Sequence, residues 1–375
     1  MINTISSITI FVSLFIAFYL LTVRTKTKVS NYLFSIFLIL IAIDTSGIIF
    51  EKINSKSYNL IIFRSTFSFL QIPVLYLYIK SVCYSDFKLK PKHLIHCAPF
   101  VLGNLLFFPR FYLVDTVDKI NFLQQYKYMF EIQLNHVIFH LQFIYYIIII
   151  FLTLRKVKKI YLENYSGVSI KTYDWLFKFT ATLSFIYIIA LLKNIIKFSQ
   201  FDIVSTYFKI GIHLLIFLLI CWYLYKALNN PELFKQIDST LKLIKNSIPQ
   251  QQPNKEVLIH EQENIEKLRN YMKEQQSFLN PSLTIQNVSD EIEIPVKELS
   301  LLINHKLNQH FYDFVNSYRI NYAKNLLSDS TQNKRTVLEI LYDSGFNSKS
   351  SFNTAFKKET GTTPTSYRKN LIINT

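Results

Sequence analysis

The chain has 375 residues, half of them hydrophobic and only 18% charged, with a formal net charge of +16. That length suggests two or three units rather than one, and such a composition describes neither a soluble domain nor a purely membrane-embedded one. The three cysteines, Cys83, Cys97 and Cys221, lie in or beside apolar runs without C-x-x-C spacing, which argues against a disulfide framework or a cysteine zinc site.

The basic excess is unevenly placed. Residues 1–228 carry 23 Lys/Arg against 9 Asp/Glu, whereas residues 229–375 carry 18 against 16. A surplus confined to the apolar half is the mark of Lys and Arg in cytoplasmic loops of a membrane protein, so any case for nucleic-acid binding must rest on motifs. Seven stretches are long and apolar enough to cross a bilayer: about 2–23, 31–50, 59–82, 93–110, 134–154, 175–196 and 207–227. The first lacks a basic leader and a small-residue cleavage site and reads as a retained span. The fourth is interrupted by Pro99 and Pro109.

Dense basic clusters follow spans one, three and five: Arg24, Lys26 and Lys28; Lys88, Lys90 and Lys92; Arg155, Lys156, Lys158 and Lys159. Placing them inside puts the N-terminus outside and the C-terminal half in the cytoplasm of a multi-pass bacterial inner-membrane protein. The longest outer loop, about 111–133, carries no evident fold of its own. An external signal must then be a small ligand lodged between helices or a membrane partner.

Polar residues within spans are the signal-site candidates. Asp44 is expected near the middle of span two, where a carboxylate is costly and faces the bundle interior; a structural hydrogen bond and a signalling role are both open. Arg64, one turn inside span three, is expected to snorkel. His136 and His140 share one face of span five, with His213 at similar depth on span seven. Three imidazoles would suit zinc or copper, yet separate histidines at a wet rim are the plainer reading, so neither a metal nor a cofactor is expected.

Residues 229–253 form a linker. Ile237, Leu241, Ile244 and Ile248 make a helical stripe under two heptads long. The stripe would pair two copies through 233–248, or lie on the membrane or the next domain. Pro249 to Pro253 then form a polar hinge.

From Asn254 the pattern is helical, without strand signals, so the whole chain is expected to be all-α: a seven-helix membrane bundle (1–228), the linker, and a C-terminal double helix-turn-helix (254–375). In the first unit Ile285, Val288 and Ile292 line the supporting helix, and Glu293-Ile294-Pro295 makes the turn. A helix over 296–307 buries Leu299, Leu302, Ile303 and Leu307. Its other face presents Lys297, Ser300, Leu301 and Asn304 to a major groove. A connecting helix spans about 311–328. In the second unit Gly345 supplies a positive-φ turn, Ser348 caps the next helix, and Phe352, Ala355 and Phe356 point inward. Lys349, Ser350, Asn353, Thr354 and Lys357 point out.

The run Gly345-Phe346-x-Ser348, Phe352, Phe356-Lys357, Gly361, Pro364 and Tyr367-Arg368 meets each fixed position of a 24-residue pattern. It resembles the C-terminal signature of the arabinose-regulator (AraC/XylS) family, and the resemblance covers about residues 265–371. It implies two recognition helices in successive major grooves of double-stranded DNA. Lys297, Ser300 and Leu301 face one groove, and Lys349, Ser350, Asn353 and Thr354 the other. Lys357, Lys358, Arg368 and Lys369 are expected on phosphates. Leu301 departs from the family by being apolar and can meet only a thymine methyl. Asn308 replaces the usual Gly after the first recognition helix, and Asn tolerates the left-handed conformation the turn needs.

The reading is therefore a membrane-bound, sequence-specific transcription regulator, not an enzyme, acting as a one-component sensor. The alternative is an integral membrane enzyme or transporter with a DNA-binding tail, but no H-E-x-x-H, G-x-S-x-G or phosphate loop is present.

Overall fold

The computed structural model describes residues 2–23, 28–47, 57–84, 86–166, 171–197, 202–229, 255–329 and 335–373. The linker stripe at 233–248 lies outside them. The fold is all-α: among the described residues no strand occurs, and Tyr165 and Thr284 form an isolated antiparallel bridge. The chain divides into two compact units. One comprises Met1–Leu154 and Tyr173–Ser239, the other Arg155–Thr172 and Thr240–Thr375. The segment 155–172 therefore joins the C-terminal unit, although the sequence places it between membrane spans.

The first unit begins with α1 (Ile2–Thr22) and α2 (Lys28–Thr45), which pack on each other. Asn31 Nδ2 donates to Leu20 O (3.2 Å) and Ser35 Oγ to Ala17 O (3.1 Å), so two side chains satisfy themselves on a neighbouring helix. The third span is broken into α3 (Tyr58–Thr66) and α4 (Ser68–Cys83). At the break the hydroxyls of Ser65, Thr66 and Ser68 bond back to carbonyls three residues earlier, each at 2.7 Å, a local competitor of the helical ladder. Pro73 lies inside α4 and cannot donate to the carbonyl of Phe69. Gln142 Nε2 from another helix donates to that carbonyl instead (2.9 Å). This is how a bundle tolerates an intramembrane proline.

The fourth span consists of a 3-10 turn (Pro91–Cys97), α5 (Ala98–Phe107) and a wide π turn (Phe108–Tyr112). Pro99 thus stands in the first turn of α5, where its missing N–H costs nothing, and Pro109 at the junction with the π turn. The expectation that 111–133 has no fold of its own is overturned. Asp115 accepts from the Asp118 N–H and caps α6 (Thr116–Gln124). Phe122 buries itself against Phe107, Phe111 and Ile132.

Helices α7 (Phe130–Asn164), α8 (Lys171–Lys197) and α9 (Asp202–Asn229) follow. Among the described residues six segments meet the length and hydropathy needed to cross a membrane, and α9 holds a shorter apolar stretch, Tyr207–Tyr223. Large apolar side chains such as Phe11 (68% exposed), Phe18 and Leu141 face outward, which suits helices surrounded by hydrocarbon. At 35 residues, α7 is about 52 Å long at a rise of 1.5 Å per residue, well beyond a hydrocarbon core of about 30 Å. Its last ten residues belong to the second unit.

The second unit contains α10 (Lys255–Glu274), a 3-10 turn (Ser277–Leu279), α11 (Ile285–Ile292), α12 (Val296–Leu301), α13 (Phe311–Ser328), α14 (Val337–Asp343), α15 (Lys349–Thr360) and α16 (Pro364–Ile373). It has two apolar cores, and α13 serves both. Phe311, Phe314 and Val315 fill the first with Val288, Leu299 and Ile303; Ile320, Ala323 and Leu327 fill the second with Ile340, Phe352 and Phe356.

Candidate nucleic-acid interface

Each helix-turn-helix is built by local rules. In the first, Thr284 and Asn287 form a reciprocal capping box that starts α11. The turn that follows places Glu293 at φ 53°. Ser289 Oγ donates to Ile294 O (2.6 Å) and closes it. In the second, Thr336 and Glu339 form the capping box of α14. Ser348 accepts from the Ser351 N–H to start α15, and Gly345 stands at φ 81°. A Cβ at Gly345 would also meet Phe278 O at 2.6 Å and Leu279 Cα at 2.8 Å. Glycine is required there both for conformation and for the close approach of the second turn to the 277–279 segment. Asn308 adopts φ 50°, so the turn after the first recognition helix survives without glycine, as expected.

The two recognition helices differ in what they offer. On α15, Lys349, Asn353, Thr354 and Lys357 are exposed and Ser350 is half-buried, while Phe352 and Phe356 are fully buried beneath them. On the first helix only Lys297 is fully exposed among the four expected residues. The regular helix stops at Leu301 and passes into a wide π turn, Leu302–Lys306, instead of running to residue 307. Ser300, expected on the outer face, is buried: it is 1% exposed. Asn304 folds its amide back onto Ser300 O (2.8 Å) and Oγ (3.0 Å), and its own Oδ1 meets His310 Nδ1 at 2.9 Å. Ser300 therefore has no free hydroxyl to present, Asn304 is engaged internally, and Leu301 is half-buried. Among the expected phosphate contacts, Lys358 pairs with Asp313 (2.7 Å) and Arg368 donates to Arg335 O (2.6 Å). Lys369 is exposed.

A feature that residue pattern does not announce lies at the junction of the two helix-turn-helix halves. Arg319 on α13 is fully buried. It donates through Nε to Phe278 O (2.6 Å) and through Nη2 to Asn280 O (2.8 Å), and its guanidinium lies 5.6 Å from the Phe346 ring centroid. It also donates through Nη1 to Ser166 O (2.8 Å) and through Nη2 to Ser166 Oγ (3.1 Å). Ser166, just beyond the end of α7, is tied in further: its N–H and hydroxyl both donate to Leu283 O, at 3.2 Å and 2.7 Å. Burial pushes the guanidinium down to about 10, still well above neutrality, so Arg319 carries its charge into the core. The acceptors around it satisfy that charge.

In the membrane-type unit, Asp44 stands in the last turn of α2, and residues 48–50 of the expected span lie outside the described residues. Its carboxylate accepts from Ser68 Oγ (3.2 Å). Arg64 does not snorkel: Nη1 donates to the carbonyls of Ile43 and Asp44, both at 3.1 Å, and closes the end of α2. Asp44, His136 and His213 line one cavity of about 380 Å³. His140 sits behind its wall, with Nδ1 2.7 Å from the Tyr187 hydroxyl and Nε2 3.5 Å from Asn194 Nδ2. The His213 Nδ1 contact is with Lys209 O (2.7 Å). Among the described residues no three His, Cys, Asp or Glu side chains come together as a metal-holding group.

Paired capped helices on a shared α13, with an exposed polar face above two buried phenylalanines, define a double helix-turn-helix. Residues 288–370 match the family described as a helix-turn-helix domain, and this part of the chain is a DNA-binding domain of the arabinose-regulator type. The chain thus joins several long apolar helices, consistent with a membrane part, to the DNA-binding domain of a transcription regulator. None of the curated proteins matches the sequence. A solved structure, a protein of unknown function from Listeria innocua, is 31% identical, with 28% of this chain and 94% of that chain covered and a TM-score of 0.25.

Proposed function

We infer that the protein is a one-component membrane sensor. Its helical bundle responds to a signal, and the double helix-turn-helix binds double-stranded DNA at the cytoplasmic face of a bacterial inner membrane. The observation that carries the reading is the seat of Ser166 on Arg319. A helix long enough to cross the bilayer and continue beyond it ends at Asn164, and two residues further on Ser166 meets Arg319, the residue that joins the two DNA-binding halves. A shift or rotation of α7 would thereby reach the spacing of two recognition helices whose half-sites lie about one DNA turn apart. The basic clusters after spans one, three and five support a cytoplasmic C-terminal half, with α9 as the seventh crossing.

In this reading α15 carries most of the sequence preference: Asn353 and Thr354 meet base edges, with Ser350 beside them, and Lys349 and Lys357 bind phosphate. The first helix contributes Lys297 and a methyl contact from Leu301.

The test compares transcripts with and without the gene and then footprints the full-length protein on the nearest responding promoter. The expected result is a protected site of two half-sites on one DNA face. Absence of any protected site at the responding promoters would remove the regulator reading. The coupling is tested with Ser166→Val, which deletes the hydroxyl but keeps the backbone N–H. Promoter output should change at unaltered protein level and unaltered footprint position; unchanged output would leave α7 as a mere anchor.

A further inference from the structure

The cavity of about 380 Å³ lies wholly within the first unit, and its lining is polarised. Asp44 ends α2, Lys193 and Asn194 lie near the end of α8, Lys209 and His213 near the start of α9. In an up-and-down bundle these positions share one end. Phe34 early in α2, Phe179 early in α8 and Tyr223 late in α9 line the other end. There Phe34 stacks on Tyr223 at 4.0 Å between centroids, and Tyr223 and Tyr78 hydroxyls satisfy each other at 3.0 Å. The inner wall is thus apolar and already satisfied.

Among the described residues that line the polar end the charges do not balance: Arg64, Lys193 and Lys209 face one carboxylate, Asp44. Arg64 is spent on the carbonyls that end α2. Neither lysine forms an ion pair among the described residues, although both lie within electrostatic reach of Asp44 or of each other. Surplus positive charge between apolar helices is costly without a counter-charge. The volume falls near the lower end of the ~300–1,000 Å³ of small-molecule pockets, which favours one apolar chain over two.

We propose that this cavity binds a single-chain amphiphile with an anionic head. The head is held between the ammonium groups of Lys193 and Lys209, and the chain runs toward Phe34, Phe179 and Tyr223. This rests on the reading of the bundle as the sensing part and names the ligand class it senses. A free long-chain carboxylate and a bilayer-derived lysophospholipid with an anionic phosphate share that chemistry.

The molecule carries its own probe. Its two tryptophans are Trp175 and Trp222, and Trp175 lies 5.2 Å from Tyr223 and 5.8 Å from Phe179 between ring centroids. Full-length protein in nanodiscs of zwitterionic phosphatidylcholine is titrated with hexadecanoate, lysophosphatidylglycerol and hexadecanol while tryptophan emission is followed. A saturable change is expected with one or both anions and none with the alcohol; the tighter anion names the source. The double variant Lys193→Gln, Lys209→Gln should bind about tenfold or more weakly, the loss expected for charged hydrogen bonds. Asp44→Asn removes a competing negative charge and should bind more tightly, so the idea stands or falls even if the lysine variant does not fold. Equal response to hexadecanol, no saturable response to either anion, or weaker binding by Asp44→Asn would overturn the proposal. The titration contains no DNA and so tests the site alone; a separate promoter assay in cells, in which the bound anion left output unchanged, would sink the sensor reading while leaving the site in place.

Discussion

Ser300 and Asn353 illustrate how much a single residue's role depends on its surroundings. Both are small polar residues placed by spacing on the outer face of a recognition helix, yet one is sealed by Asn304 and the other is open to solvent. Ser300→Ala should therefore leave base preference unchanged. Asn353→Ala or Thr354→Ala should relax preference at one or two base pairs at a cost on the order of 1–3 kcal/mol, and Lys357→Ala should weaken all sequences about equally. A selection of bound sequences from random DNA, run on each variant, separates these outcomes. Beneath this face Phe352 has no exposure, and Phe352→Ala should cost roughly 3–5 kcal/mol of stability through the cavity it opens. The signature is lower melting with DNA binding retained at low temperature.

At the scale of elements, the second helix-turn-helix depends on how α14 begins. Thr336 Oγ1 accepts from the Glu339 N–H (3.1 Å), and the Glu339 carboxylate accepts from the Thr336 N–H (2.7 Å) and hydroxyl (2.9 Å). Thr336→Ala removes the cap and should cost about 0.5–2 kcal/mol, read as a lower melting temperature for the domain. The hydrogen bonds from Thr336 hold the Glu339 carboxyl below its usual value. A carboxyl lowered on folding stabilises fully above its ordinary value, and that contribution is lost as pH falls through the lowered one. The melting gap between wild type and Thr336→Ala should accordingly narrow on acidification below the carboxylate range. A gap constant with pH would show that the box does not operate in solution. The same capping logic explains α6: Asp115 and Asp118 were a legible start signal inside a loop that hydropathy alone leaves blank.

At the scale of the whole molecule, the decisive question is on which side of the membrane each segment lies. A reporter fused after Lys159 or Lys226 should read cytoplasmic, and one within 111–133 external. An external reading after Lys226 would separate the helix-turn-helix from DNA and remove the regulator reading. A cytoplasmic reading there agrees with an odd number of crossings.

Read alone, the sequence settled much of what is encoded within a turn or two of chain. Apolar runs marked the long helices. The 3.6-residue stripes marked both helix-turn-helix units, and Ser348, Gly345 and Asn308 marked their caps and turns, because each conformation depends on a residue and its near neighbours. Tertiary structure alone decided the rest. Arg319 meets Ser166 across 153 residues of chain, and Gln142 repairs the carbonyl freed by Pro73 73 residues away. Such contacts form when distant segments close upon one another, and no local periodicity records which segments those are. The polarised cavity belongs to the same category: its lysines and its aromatic wall come from different helices, and only their packing makes them one site.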